Sequence, residues 1–63
     1  MLTARQQRIL DLLARGYERK EVSRMLGISE NTMHNHCSVI YKKLGVTNLL
    51  QAINVTRDLS WLG

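Results

Sequence analysis

The sequence predicts an all-α domain, a four-helix bundle built around one long, amphipathic third helix. Three observations lead there. Apolar residues recur at spacings of three and four through most of the chain, which places them on single helix faces. Gly16 and Gly45 stand just past such stretches, and Gly27 stands in a short joint between two of them, where helices close on a left-handed residue. No proline, low-complexity run, linker or internal repeat interrupts the pattern.

The first helix opens at Leu2-Thr3-Ala4-Arg5-Gln6. Thr3 is placed to cap it, and Gln6 can reach back to complete a capping box. Ile9, Leu10, Leu12 and Leu13 form its apolar stripe, and Gly16 ends it. The second helix is expected from about Glu18 to Leu26, with Val22, Met25 and Leu26 inward and Arg19, Lys20 and Glu21 outward. Glu18 and Glu21 suit the positive end of its dipole. The third spans Glu30 to Leu44, between a Ser29 cap and Gly45. Asn48 and Gln51 can make another capping box, and a fourth helix runs from about Leu49 to Leu59. Its apolar residues Leu49, Leu50, Ala52, Ile53, Val55 and Leu59 cover more than one face. Part of it should therefore stay exposed in a monomer or meet a partner. The tail from Ser60 to Gly63 is expected to be loose, with Trp61 able to fold back on the core.

The middle of the chain fits a helix-turn-helix. Ser23 is the small residue where two helices cross, Gly27 four residues later supplies the turn, and Val22, Leu26, Ile28 and Met33 fall on inward positions. Helices meeting at a steep angle need a small residue at the crossing and a glycine at the joint. In the third helix Met33, Cys37, Ile40 and Leu44 share one face, while Asn31, Thr32, His34, Asn35, Ser38 and Lys42 occupy the other. An apolar back and a hydrogen-bonding front without acids suit a DNA major groove.

Composition bounds the alternatives. A chain of 63 residues makes one domain and buries only about 60% of its unfolded surface. The lone cysteine, Cys37, allows no internal disulfide and no cysteine-based metal site, and reads as a small core residue rather than a redox sensor. No apolar run reaches the ~20 residues of a membrane span and no signal peptide opens the chain, so a cytoplasmic location is expected, with no membrane partner. Net charge is +4, and no Asp or Glu occurs between Glu30 and Asp58, a window that holds His34, His36, Lys42, Lys43 and Arg57. That bias permits an anionic partner. An enzyme is disfavoured: no acid pair, nucleophile–base constellation or glycine-rich phosphate loop is present. His34 and His36 point about 200° apart on a helix and cannot share a metal. No catalytic residue, metal or cofactor is expected.

Leu2-Thr3-Ala4-Arg5, Leu10-x-Leu12-Leu13-x-x-Gly16, Lys20-Glu21-Val22, Leu26-x-Ile28-Ser29-x-x-Thr32, His36, Lys43-Leu44-Gly45-Val46 and Gln51-Ala52 together resemble the LuxR/FixJ-type, or GerE-like, helix-turn-helix domain. The resemblance covers nearly the whole chain, residues 1–63 as a single domain. Lys43-Leu44-Gly45-Val46 separates it from sigma-factor region 4, which shares the earlier layout. The resemblance implies a bacterial transcription regulator that binds double-stranded DNA, with the third helix as recognition helix. It also implies a response regulator or similar protein with a receiver or ligand-binding domain ahead of this one, dimerisation through the fourth helix, and RNA polymerase as a further partner. Several positions depart from the family pattern. Glu18 replaces a serine cap, Ser23 an alanine and His34 a lysine. Arg8 and Leu49 replace a Glu and an Arg, so a family ion pair between the first and fourth helices is expected to be absent.

By position in the resemblance, His34, Asn35 and Ser38 are the expected base contacts. Asn pairs with adenine N6 and N7, and Ser suits several bases. Lys20, Asn31, Thr32, Lys42 and Lys43 are the expected phosphate contacts, aided by the N–H groups at a helix start. His36 is expected half-buried in a structural role. Leu50, Ile53, Asn54 and Arg57 are the expected dimer interface. The competing reading is a protein-interaction module or antagonist derived from a helix-turn-helix that has lost most DNA binding, favoured by His34 and Leu49.

Overall fold

The computed structural model describes the backbone of residues 1–62 and the side chains through Arg57. Four helices follow in order: α1 (Ala4–Ala14), α2 (Arg19–Leu26), α3 (Glu30–Leu44) and α4 (Leu49–Leu62). The described backbone contains helices and short connections, as the all-α reading expects. Both α1 and α3 pack against each of the other three helices.

Local chemistry sets each boundary. Thr3 Oγ1 accepts from the Gln6 N–H at 3.1 Å, and Gln6 Oε1 accepts from the Thr3 N–H at 3.0 Å, a full capping box. Glu18 is the residue before α2 and makes no side-chain cap bond; its N–H donates to Glu21 Oε1 at 3.0 Å. At the joint, Gly27 adopts φ 68° and ψ 34°. Its N–H donates to the Arg24 carbonyl and the Ile28 N–H to the Ser23 carbonyl, the paired closing bonds of a Schellman motif. Gly45 repeats the arrangement after α3 at φ 70°, with bonds to Lys42 and, through Val46, to Tyr41.

The core is Ile9, Leu10, Leu12 and Leu13 from α1, Val22 from α2, Met33, Cys37 and Ile40 from α3, and Ala52 from α4. Leu26, Ile28, Leu44, Val46, Leu49 and Ile53 pack around it half-buried. Ser23 is buried on the inward side of α2, its hydroxyl returned to the Arg19 carbonyl at 2.9 Å. The hydroxyl is thereby satisfied without a partner on α3.

Three expectations are corrected. Met25 faces solvent and is 51% exposed. The small Ser23 lets α2 settle with Val22, Ser23 and Leu26 inward, and at about 100° per residue Met25 then falls roughly 100° from the centre of that arc. The capping box at α4 is half-formed. Asn48 Oδ1 accepts from the Gln51 N–H at 2.9 Å, but Gln51 Oε1 takes the N–H and hydroxyl of Thr47 at 3.0 and 3.2 Å. Thr47 offers two donors at one place, where Asn48 offers one. Finally, α4 continues past Leu59 to Leu62, because nothing from Ser60 to Leu62 is a glycine or proline that would stop it. The expectation that Trp61 folds back on the core lies outside the described residues.

Candidate nucleic-acid interface

The site is built on α3, whose start and rotation are both fixed. Ser29 Oγ accepts from the Thr32 N–H at 3.0 Å and donates to Thr32 Oγ1 at 2.8 Å. Met33, Cys37 and Ile40 are buried at 1–2% exposure. With that back face sunk, about 100° per residue puts Asn31, Asn35, Ser38 and Lys42 within an arc of roughly 60° on the opposite side. Asn31, Asn35 and Lys42 are exposed and Ser38 is half-buried. His34, also exposed, lies beside that arc.

The two flanks of α3 are tied to the other helices by hydrogen bonds. On the flank shared with His34, Tyr41 Oη accepts from Arg19 Nη2 of α2 at 3.1 Å. On the other flank, Lys43 Nζ donates to Gln6 Oε1 at 2.9 Å and to the Met1 carbonyl at 3.3 Å. Gln6 is 8% exposed, so its one carbonyl oxygen joins the cap of α1 to the last turn of α3. Lys43 is therefore set apart from the other expected phosphate contacts: its side chain is exposed, but its ammonium is engaged by Gln6 and the Met1 carbonyl. Lys20, on the first turn of α2, is exposed. His36 is half-buried, as its place beside the apolar face requires.

Cys37 is 2% exposed, and its thiol lies 3.9 Å from the Met33 sulfur. Burial pushes the thiol above its ordinary range, with the positive charge of Arg19 pulling the other way. A protonated, enclosed thiol is a poor nucleophile. Among the described residues, no three His, Cys, Asp or Glu side chains group to hold a metal, and no helix is long and apolar enough to cross a membrane.

Two features of this surface escape sequence reading. Val39 stands outward at 42% exposure next to the polar front; it falls outside the spacing of the buried face, and that was its only signal. The Arg19–Tyr41 bond joins residues 22 apart in the chain, which no local pattern announces.

The family model for bacterial regulatory proteins of the luxR family matches residues 1–56. The chain belongs to this family. Among similar luxR-type proteins, the transcriptional regulatory protein DesR of Bacillus subtilis is 37% identical over 60 residues, 95% of this chain and 30% of DesR. The CsgBAC operon transcriptional regulatory protein of Escherichia coli is 40% identical over 58 residues, 92% of this chain and 27% of that protein. The spore germination protein GerE of Bacillus subtilis is 40% identical over 53 residues, 84% of this chain and 72% of GerE. The chain thus spans under a third of the longer regulators but most of GerE. It is a DNA-binding, transcription-regulatory domain of the luxR family, with double-stranded DNA as its partner.

Proposed function

We propose that α3 enters the major groove, with His34, Asn35 and Ser38 meeting base edges and with Lys20, Asn31, Thr32 and Lys42 on flanking phosphates. The observation that carries this reading is the one-sided surface of α3. Its back is sunk in the core and its flank bonds run to α1 and α2, while Asn31, Asn35, Ser38 and Lys42 share one outward arc. Backbone contacts of this kind fix register, and the side chains on base edges supply sequence preference. Val39 adds an apolar surface suited to a thymine methyl.

The domain is further proposed to act as a homodimer through α4. Leu50 is 69% exposed, and Asn54 and Arg57 are exposed at four and seven residues beyond it, which puts the three on one stripe. Ile53 packs half-buried against the core and borders that stripe. Two copies joined there would present two α3 helices about one helical turn of DNA apart. In this reading the domain forms the DNA-binding part of a cytoplasmic regulator whose input domain receives the signal, and RNA polymerase is the partner at the promoter. Its work is binding rather than catalysis.

Selection of bound duplexes from a random pool, followed by anisotropy with two variants, tests the arrangement. Asn35→Ala should change relative preference among the selected sequences. Lys42→Ala should weaken binding to all of them alike and flatten the salt slope by about 1. An Asn35→Ala variant with unaltered preference would show that α3 is rotated differently on the DNA. The second reading, an interaction module using Leu50, is favoured by the absence of a basic cluster on the α3 front. It would be upheld if micromolar protein failed to bind random duplex at low salt.

A further inference from the structure

We propose that Arg19, held by the Tyr41 hydroxyl, is an additional phosphate-binding residue of this interface, with Tyr41 acting as its positioning residue. The inference rests on the reading of α3 as the groove helix and adds a contact supplied by α2.

Arg19 is the first residue of α2 and is exposed. One Nη2–H donates to Tyr41 Oη at 3.1 Å. A guanidinium carries five N–H donors in a rigid fork, so this bond leaves four. Tyr41 is half-buried on α3. At about 100° per residue it lies roughly 20° around the helix from His34, two turns away, so the bond carries the charge of Arg19 to the edge of the reading face. The side chain that holds the guanidinium is the Tyr41 hydroxyl, not a carboxylate. Glu21 stands about 200° around α2 from Arg19, its carboxylate occupied by the Glu18 N–H at 3.0 Å. Lys20 follows directly in the chain and is exposed, so two cations meet at the start of one helix, where the dipole also favours an anion.

An exposed hydrogen bond between two long side chains adds little to stability once their ordering is counted. Its physical consequence is preorganisation: a guanidinium already fixed in place loses less freedom when it meets a phosphate. Arg suits that role better than Lys, because its planar fork can donate to the tyrosine oxygen and to a phosphate together.

The test is fluorescence anisotropy of the chain against a short random-sequence duplex, titrated across salt. Each neutralised phosphate contributes a slope of about 0.9 in log affinity against log salt, so its loss amounts to roughly eightfold near 0.1 M. Arg19→Ala should lower the slope by about 1 and weaken all sequences by about that factor. Tyr41→Phe should keep the slope and weaken binding between about two- and tenfold, the entropy of one freed side chain. The double variant should bind no worse than Arg19→Ala alone. Arg19→Gln, which keeps the stem and two donors, serves if Arg19→Ala fails to fold. A slope unchanged in the Arg19 variants overturns the proposal and leaves the pair as a brace between α2 and α3. Lys42→Ala is run beside them. If it lowers the slope and the Arg19 variants do not, only this inference falls. If neither does, the groove reading itself falls.

Discussion

Gly27 is the position where the geometry of the helix-turn-helix can be tested with one methyl group. It holds φ 68° at the joint between α2 and α3, and a Cβ built there meets no atom within 4 Å. The cost of Gly27→Ala is therefore backbone strain without a steric clash. A left-handed conformation costs an L-residue about 1–2 kcal/mol, and the lower entropy of the unfolded alanine chain offsets about 0.4–1 kcal/mol of that. The expected net loss is about 1 kcal/mol. A 63-residue domain holds roughly 3–9 kcal/mol in all, so the variant should fold, with its melting temperature lowered by about 4–8 °C. Urea unfolding followed by circular dichroism should show a lower midpoint and an unchanged slope. Gly27→Asn should fall between the two, because Asn tolerates the left-handed region better. DNA affinity, measured well below the midpoint, should match the parent. The reasoning is refuted if Gly27→Ala keeps full stability but loses affinity. That pattern would mean the turn had re-formed in a right-handed conformation and carried α3 out of register. A loss beyond about 3 kcal/mol would refute it too, by exceeding what strain alone supplies.

Other perturbations separate the remaining roles. Gln6→Leu should destabilise by about 1–3 kcal/mol, since it strips the acceptor from the Thr3 N–H and the Lys43 ammonium; an unchanged urea midpoint would show that this junction carries no weight. Lys43→Ala should leave the salt slope of DNA binding at its parent value, in contrast to Lys42→Ala, and equal slopes in the two variants would return Lys43 to the phosphate contacts. Cys37 links stability to alkaline pH. Burial raises its folded pKa above the unfolded value, so its contribution is complete below the ordinary thiol pKa of about 8.5 and is lost as pH rises from there through the folded value. The urea midpoint of the parent should accordingly fall more steeply above that pH than the midpoint of Cys37→Ala; parallel curves would remove the thiol from the account. Leu50→Glu should leave the melting curve of the monomer unaltered, as expected for a residue 69% exposed, and should abolish cooperative occupancy of paired half-sites, detected by native gel shift. Retained cooperativity would place the dimer contact elsewhere.

Element boundaries were legible where the chemistry is local. Thr3 with Gln6 and Ser29 with Thr32 lie three residues apart, a distance at which side-chain reach decides the outcome before any tertiary contact forms. Gly45 needs only its own lack of a Cβ. The buried faces of α1 and α3 followed from spacing alone, because each carries four apolar residues that agree on one direction. Spacing failed at α2. Eight residues give barely two turns, and the inward arc, with Ser23 buried and Met25 exposed, was decided by packing against the other helices. It failed again for Gln51, whose choice of Thr47 over Asn48 turns on which donors converge at one oxygen. Of the surface, the polar front of α3 could be read from the sequence, whereas the engagement of Lys43 with Gln6 spans 37 residues and the Arg19–Tyr41 bond spans 22. Both depend on the assembled helices.

Those two flank bonds bear on how a reading face without a basic cluster can work. The outward arc of α3 offers one ammonium, Lys42, among Asn31, Asn35 and Ser38, and the lysine usual at position 34 is replaced by His34. Neutral hydrogen bonds to bases discriminate but supply little attraction at a distance, whereas charge on phosphates supplies attraction and little discrimination. In the proposed arrangement the two functions fall on different elements. Discrimination would rest on α3, while cationic charge would be supplied by Arg19 and Lys20 at the start of α2 and by Lys42 in the last turn of α3. Lys43, bound to Gln6, is left out of that sum in this reading. A single domain arranged this way should show a salt slope near 3, about 0.9 for each of three phosphates, and a sequence preference that survives at salt concentrations where most of the affinity has gone. A slope of 5 or more would mean that cations outside this set, such as Lys43 and Arg57, reach the DNA, and the division of labour between α2 and α3 would not hold.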